Sequence, residues 1–231
     1  MPYVVTPPAV VAVPVHGSAQ SFPVHRIYCV GRNYAEHARE MGGTGREAPF
    51  FFMKPADAVL LADADGVARM PYPTLTSNLH HEVELVVAIG VGGKDIPSAL
   101  AYQHIYGYAV GLDMTRRDLQ NDMKKQGRPW CIGKGFEHSA PLGAITPASH
   151  VNGIGQAAIA LDVNGQVRQS STVAKLIWSI AETIEQLSQA WTLQPGDLIF
   201  TGTPEGVAAV VQGDLLEAHI DGLQPLSVRV V

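Results

Sequence analysis

The 231-residue chain is 46% hydrophobic and 16% charged, which suits one folded domain with a sizeable core and argues against a disordered chain. Its formal net charge of −5 argues against a general nucleic-acid binder, while leaving room for a small anionic substrate held by local cations. The two cysteines, Cys29 and Cys131, are too few for a disulfide scaffold and fit a reducing cytoplasm.

In residues 1–25, repeated prolines and short valine runs predict an extension with an edge strand and turns. Prolines interrupt the apolar stretch Ala9–Val13 and no basic segment precedes it, so neither a signal peptide nor a membrane-spanning helix is expected. A strand begins at Ile27, and a helix over Ala35–Met41 is ended by Gly42-Gly43. Phe50–Met53 is a short apolar strand, while Glu82–Gly90 and Ile105–Asp113 are the clearest strands of the first half. A helix is predicted over Arg116–Gln126, with Thr115 as its cap and Asp118 completing a variant capping box. Asn164-Gly165, between Ala157–Val163 and Gln166–Gln169, signals a hairpin, because both turn positions favour positive φ. Ala174–Ala190 carries Ile177, Ala181, Ile184 and Leu187 at helical spacing, and Asp197–Thr201, Leu215–Ile220 and Leu226–Val230 read as closing strands. Many short strands with few helices predict an α+β fold built on a mixed, rolled or barrel-like sheet with flanking helices.

Chemistry concentrates at a few places. In a strand, Glu82 and Glu84 point to one face, which continues as the apolar Val86 and Ala88 and so runs towards the interior. A solvated face opposite Val83, Leu85, Val87 and Ile89 is the alternative. Two carboxylates buried together repel and lose hydration, and a bound cation relieves both problems. Asp113 ends the next strand, either as a helix cap or as a third oxygen ligand, and Gly107, Ala109 and Gly111 on its face leave space for a ligand or a neighbouring backbone. Three carboxylates without cysteine favour magnesium or manganese, with calcium also suitable, over zinc, although His80 or His81 offers a nitrogen.

His37 and Glu40 share one face of the predicted Ala35–Met41 helix, as a water-activating dyad or as a chance surface pair; the glycines at 42, 43 and 45 suggest a hinged lid. Lys134, between Gly133 and Gly135, is either a solvated loop tip or a cation for a developing anion. Arg117 and Gln120 share a helix face near Asp113, and Thr201-Gly202-Thr203-Pro204 offers hydroxyls and backbone N–H groups to a carboxylate. Together these residues describe an anion pocket beside a cation.

The ordered set Gly31-Arg32-Asn33-Tyr34, His37, Glu40, Lys54-Pro55, His81-Glu82-Val83-Glu84, Leu112-Asp113-Met114-Thr115 with Arg117-Asp118, Gly133-Lys134 and Thr201-Gly202-Thr203-Pro204 resembles the fumarylacetoacetate hydrolase family across residues 26–231. Within that family the chain is similar to the short acylpyruvase branch, and over Phe22–Ala58 to bacterial members acting on fumarylpyruvate in gentisate breakdown. The resemblance implies a β-roll, usually dimeric, that hydrolyses a carbon–carbon bond in a small anionic keto acid, without nucleic acid or membrane as partner. It implies Glu82, Glu84 and Asp113 as ligands of magnesium or manganese. His37 and Glu40 then activate water, Lys134 stabilises negative charge, and Arg32, Lys54, Arg117, Gln120 and Thr203 line the substrate. A local excess of cations, Arg26, Arg32, Arg39, Arg46 and Lys54, points to a clamp for a second carboxylate, with solvated surface positions the alternative for some of them and a structural role the alternative for Lys54. Oxaloacetate decarboxylation and general acylpyruvate cleavage are the rival reactions within the family, and metal-dependent ligand capture without turnover is the rival outside catalysis.

Overall fold

The computed structural model describes residues 2–36 and 46–231. Two mixed sheets dominate it. The first has six strands in the order Thr146–Pro147, Ile105–Leu112, Val83–Ile89, Leu198–Phe200, Ile27–Gly31 and Phe50–Lys54. The second has five, in the order Gln166–Thr172, Ala158–Val163, Leu215–Ile220, Leu226–Val230 and Val67–Met70. Each sheet holds one parallel pair among antiparallel ones, Leu198–Phe200 on Ile27–Gly31 and Leu226–Val230 on Val67–Met70. This is the expected α+β fold on a mixed sheet with a few helices at its margins.

Burial follows from the side-chain pattern of each strand. In the five-stranded sheet apolar residues alternate with more exposed ones: Ile159, Leu161 and Val163, then Leu216, Ala218 and Ile220, then Leu226, Val228 and Val230 face the core. Val83–Ile89 is buried at every position, because it lies between two cores. Val83, Leu85, Val87 and Ile89 pack into the core shared with the five-stranded sheet. Val86 and Ala88 pack the other way, with Cys29, Phe200 and the residues Val13, Val15, Phe22 and Val24 of the N-terminal segment. The hairpin of Ala12–Pro14 with Ser21–Pro23 thereby closes the second core. Glu84 lies on that second side, so the glutamate face does run into the interior.

Asn164 and Gly165 have φ of 52° and 74°, as their hairpin turn requires. The strand after them continues to Thr172, three residues beyond the expected end at Gln169. Two helix starts differ from expectation. The last helix spans Ile180–Ala190, not Ala174–Ala190; its cap is Ser179, in a capping box with Glu182. The preceding residues are taken by Asn33, whose carbonyl accepts from Ile177 N–H at 2.8 Å and whose amide accepts from Trp178 N–H at 2.7 Å. The Asn33 amide also donates to the carbonyls of Trp178 and Thr201 at 2.9 and 2.8 Å. These long-range bonds outweigh the helical spacing of Ile177.

The earlier helix spans Arg117–Lys125 without a side-chain cap. Thr115 instead pairs with His80 in a short antiparallel ladder, and its hydroxyl donates to Asp113 O at 3.0 Å. Asp118 accepts from Thr76 Oγ1 at 2.6 Å and Ser77 N–H at 3.1 Å, which ties the helix to the 76–78 loop. Among the described residues no helix is long and apolar enough to cross a membrane.

Asn33→Ala removes the side-chain partner of the Trp178 N–H and of the Trp178 and Thr201 carbonyls, leaving the backbone bond from Ile177 intact, whereas Ser179→Ala removes one exposed cap. Urea unfolding should therefore report a loss of about 2–3 kcal/mol for Asn33→Ala and about 1 kcal/mol for Ser179→Ala. Equal losses would mean that Asn33 does not hold these segments.

Candidate active site

The ladder between Val83–Ile89 and Ile105–Leu112 pairs Val83 with Leu112 and Glu84 with Gly111. It continues as a bond from Asp113 N–H to Glu82 O at 2.9 Å, so the ends of both strands deliver their acids to one place. Glu82, Glu84 and Asp113 are all buried, and one ligand oxygen from each lies within 4.8 Å of the others. The small residues beside them serve packing. A side chain at Gly107 would meet Thr146 O at 2.4 Å, and one at Gly111 would meet Val86 and Phe200 carbons at 2.6 and 2.7 Å. Neighbouring backbone and core atoms fill the space that had two candidate occupants.

Three cations answer these acids. Lys134 Nζ lies 2.7 Å from Glu82 Oε2 and 2.7 Å from Asp113 Oδ2. Lys54 Nζ lies 2.8 Å from Asp113 Oδ1 and also donates to the carbonyls of Met114 and Lys134. Arg117 pairs with Glu82 Oε1 and donates to Gln120 Oε1 at 2.5 Å. Burial alone would lower the Lys134 pKa, but the Asp113 and Glu82 carboxylates outweigh it and hold the ammonium above the ordinary lysine value. Lys134 ends the short helix Cys131–Lys134 and is not a loop tip. That helix packs so closely that a side chain at Gly133 would stand 2.9 Å from Gln120 N.

Glu84 differs from its neighbours. It accepts from the Gly202 N–H at 2.7 Å, and no cation lies within hydrogen-bond distance of it among the described residues. Burial, reinforced by the charges of Asp113 and Glu82, pushes its pKa well above the usual carboxylate range. An oxygen-seeking divalent ion between the three carboxylates would supply the missing positive charge, so the residues fit magnesium or manganese. The ligand cluster contains no nitrogen. His80 lies against Arg117 and is driven to a pKa of about 4, first by burial and then by that cation. His81 is buried against Gln169. The zinc alternative gains nothing from either ring.

The cleft over the acids is lined by Arg32, Arg117, Gln120, Trp130, Lys134 and Thr203, among others. Arg32 has φ of 55°, and its guanidinium lies 5.8 Å from the Phe50 ring. Its Nε is buried without a hydrogen-bond partner among the described residues. Of the two roles open to Lys54, its placement favours the structural one: it is not among the cleft-lining residues, and its ammonium is paired with Asp113 and the Met114 carbonyl. Arg26 is held by Asp197 at 2.7 Å, and Arg46 by Glu182 at 2.5 Å and the Trp178 ring at 4.2 Å. Of the five cations named for a distal clamp, Arg32 is thus the described one that reaches the cleft. His37, Arg39 and Glu40 lie outside the described residues, as do the glycines at 42, 43 and 45. Gly202 serves Glu84, and the Thr201 hydroxyl donates to Leu85 O at 2.9 Å, so of the Thr201–Pro204 loop it is Thr203 that lines the cleft. Phe52 and Trp130 form an aromatic wall of the cleft that no spacing or motif in the sequence marks.

Residues 26–231 match the family model described as fumarylacetoacetate (FAA) hydrolase C-terminal. The chain is 48% identical over 184 residues to a fumarylpyruvate hydrolase of Ralstonia sp, covering 80% of this chain and 93% of that protein. It is 42% identical over 204 residues to the mitochondrial oxaloacetate tautomerase FAHD1 of Rattus norvegicus, covering 88% of this chain and 90% of that protein. It is also similar to the crystal structure of fumarylpyruvate hydrolase from Pseudomonas aeruginosa in complex with Mn2+ and pyruvate, with 57% identity, a TM-score of 0.97 and coverage of 100% and 99% of the two chains. The motifs, the fold and these likenesses agree, and the chain belongs to the fumarylacetoacetate hydrolase family.

Proposed function

We propose that this protein is a divalent-metal-dependent hydrolase that cleaves fumarylpyruvate to fumarate and pyruvate. The observation that carries this reading is the Glu82–Glu84–Asp113 cluster with Lys134 beside it, in a chain 57% identical to a fumarylpyruvate hydrolase solved with Mn2+ and pyruvate. The ion held by the three carboxylates, magnesium or manganese, supplies Lewis-acid polarisation of a keto oxygen.

The chain's own groups supply the rest. Thr203, Gln120 and Arg117 orient the pyruvyl end. His37, backed by Glu40, takes a proton from water, which adds to the distal keto carbon. The bond from that carbon to the methylene breaks, and its electron pair passes into the pyruvate fragment, where the Lys134 ammonium meets the developing charge. A returned proton gives pyruvate, and the added water gives the free carboxyl of fumarate. Arg32, with a buried Nε lacking a partner, meets the second carboxylate of the substrate. The rest of the reading rests on the resemblance: a homodimer in the cytoplasm, serving gentisate-type aromatic breakdown. A second reading, proton transfer within oxaloacetate, is favoured by the 42% identity to an oxaloacetate tautomerase.

Side-by-side assays of the purified protein with Mn2+, on fumarylpyruvate and on oxaloacetate, test the two. Hydrolysis of fumarylpyruvate with a kcat/KM at least tenfold above that of any oxaloacetate reaction is expected; the reverse order sinks the first reading. Chelation should abolish activity, and Glu84→Gln should lower it by about a hundredfold or more.

Two substitutions separate the ends of the cleft. His37→Ala should cut hydrolysis by about 10²–10⁴-fold while Mn2+ affinity measured by calorimetry stays within a few-fold of wild type. Arg32→Met should lower kcat/KM for fumarylpyruvate by about tenfold to a hundredfold and hardly touch acetylpyruvate, which lacks the second carboxylate. Equal losses on both substrates would remove Arg32 from the distal clamp.

A further inference from the structure

Gln169 comes from the five-stranded sheet, yet its side chain reaches the site from behind and is buried. Its Oε1 accepts from Val83 N–H at 3.0 Å, between the two glutamates of the cluster, and lies 3.0 Å from His81 Nδ1. Its Nε2 donates to Pro204 O and to Thr203 Oγ1, both at 2.8 Å. A backbone N–H only donates and a backbone carbonyl only accepts, so these two contacts fix which end of the amide is oxygen. Every hydrogen-bonding position of the amide is then used. The same loop is seated a second time, since a side chain at Gly206 would stand 2.1 Å from Arg168 O.

The consequence falls on Thr203. Its oxygen accepts the amide proton, and its own proton finds no acceptor among the described residues. Thr203 lines the cleft, so that proton remains for an anionic ligand. We infer that Gln169 is a positioning residue: it sets the Thr203 hydroxyl as a donor and fixes its place relative to the Glu82–Glu84 strand. The inference rests on the keto-acid reading of the site. It assigns Gln169 no contact with substrate.

The decisive variant is Gln169→Glu, nearly equal in shape. A carboxylate still accepts from Val83 N–H but has nothing to give Thr203 or Pro204, and it draws the Thr203 proton away from the cleft. With Mn2+-loaded full-length protein, calorimetry should show pyruvate binding about tenfold weaker, with Mn2+ affinity changed less than threefold. In a Thr203→Val background the same change at Gln169 should cost less than twofold, because the hydroxyl it acts through is gone. Should Gln169→Glu fail to fold, Gln169→Met, which keeps the length and drops both donors, enters the same cycle, and its loss of pyruvate affinity should likewise vanish with Thr203→Val.

Equal losses in both backgrounds, or a loss of Mn2+ affinity matching that of pyruvate, would make Gln169 merely structural and overturn the inference. Wild-type affinity in Gln169→Glu would do the same. If the Mn2+-loaded wild type binds no pyruvate, the reading of the site fails, and the inference fails with it for that separate reason.

Discussion

The constraint on which the rest of this structure depends is the burial of three carboxylates at the adjoining ends of two neighbouring strands. Each would shed hydration at a cost of several kcal/mol without compensation. The cations that answer them come from widely separated parts of the chain: Lys54 from an edge strand, Arg117 from the start of a helix, Lys134 from the end of another. Their positions in turn fix other groups. Lys54 can reach Asp113 because Phe50–Lys54 is paired along its length with Ile27–Gly31. Lys134 can reach two acids because Gly133 lets its helix touch Gln120. The cluster is therefore a fold constraint as well as a chemical one, and the Glu84 carboxylate, without a paired cation among the described residues, is the point where the balance stays open.

Neutral side chains extend the same logic to the backbone. Asn33 bridges Trp178 and Thr201, and Gln169 bridges Val83, Thr203 and Pro204. Both amides occupy buried places where loops from different sheets meet, and each serves donors and acceptors that no ladder could satisfy. The consequence is a site whose loop is held at Thr201 by Asn33, at Gly202 by Glu84 and at Thr203–Pro204 by Gln169. Such a loop presents the Thr203 hydroxyl to the cleft at a fixed position, which is what electrostatic preorganisation requires.

The sequence makes legible what depends on local pattern. The strands Leu215–Ile220 and Leu226–Val230, the Asn164-Gly165 turn and the inward course of Glu84, Val86 and Ala88 all follow from spacing and turn chemistry. It hides what depends on distant partners. Ile177 has helical spacing, but its N–H belongs to Asn33. Thr115 has the right type for a cap, but its backbone belongs to a ladder with His80. Lys54 is a cation beside a family motif, and only the packing of its strand reveals that it faces Asp113 and not the cleft. Gln169, one polar residue in a strand of alternating burial, carries no local mark at all.

The groups that line the cleft differ in how far the protein itself satisfies them. At the acid end, Lys134, Lys54 and Arg117 are committed to carboxylates and carbonyls, so altering any one leaves a buried charge unpaired and disturbs the others. Elsewhere in the lining, Arg32 lies near the Phe50 ring with its Nε unpartnered among the described residues, and Trp130 and Phe52 supply an apolar wall. A cation whose partner must come from outside is a source of selectivity, since a ligand lacking the matching charge leaves it desolvated. On the proposed reading, chemistry and specificity would then rest on different residues of one cleft. On that reading, a change at Arg32 would alter which acyl group is accepted, whereas a change within the cluster would unbalance buried charge.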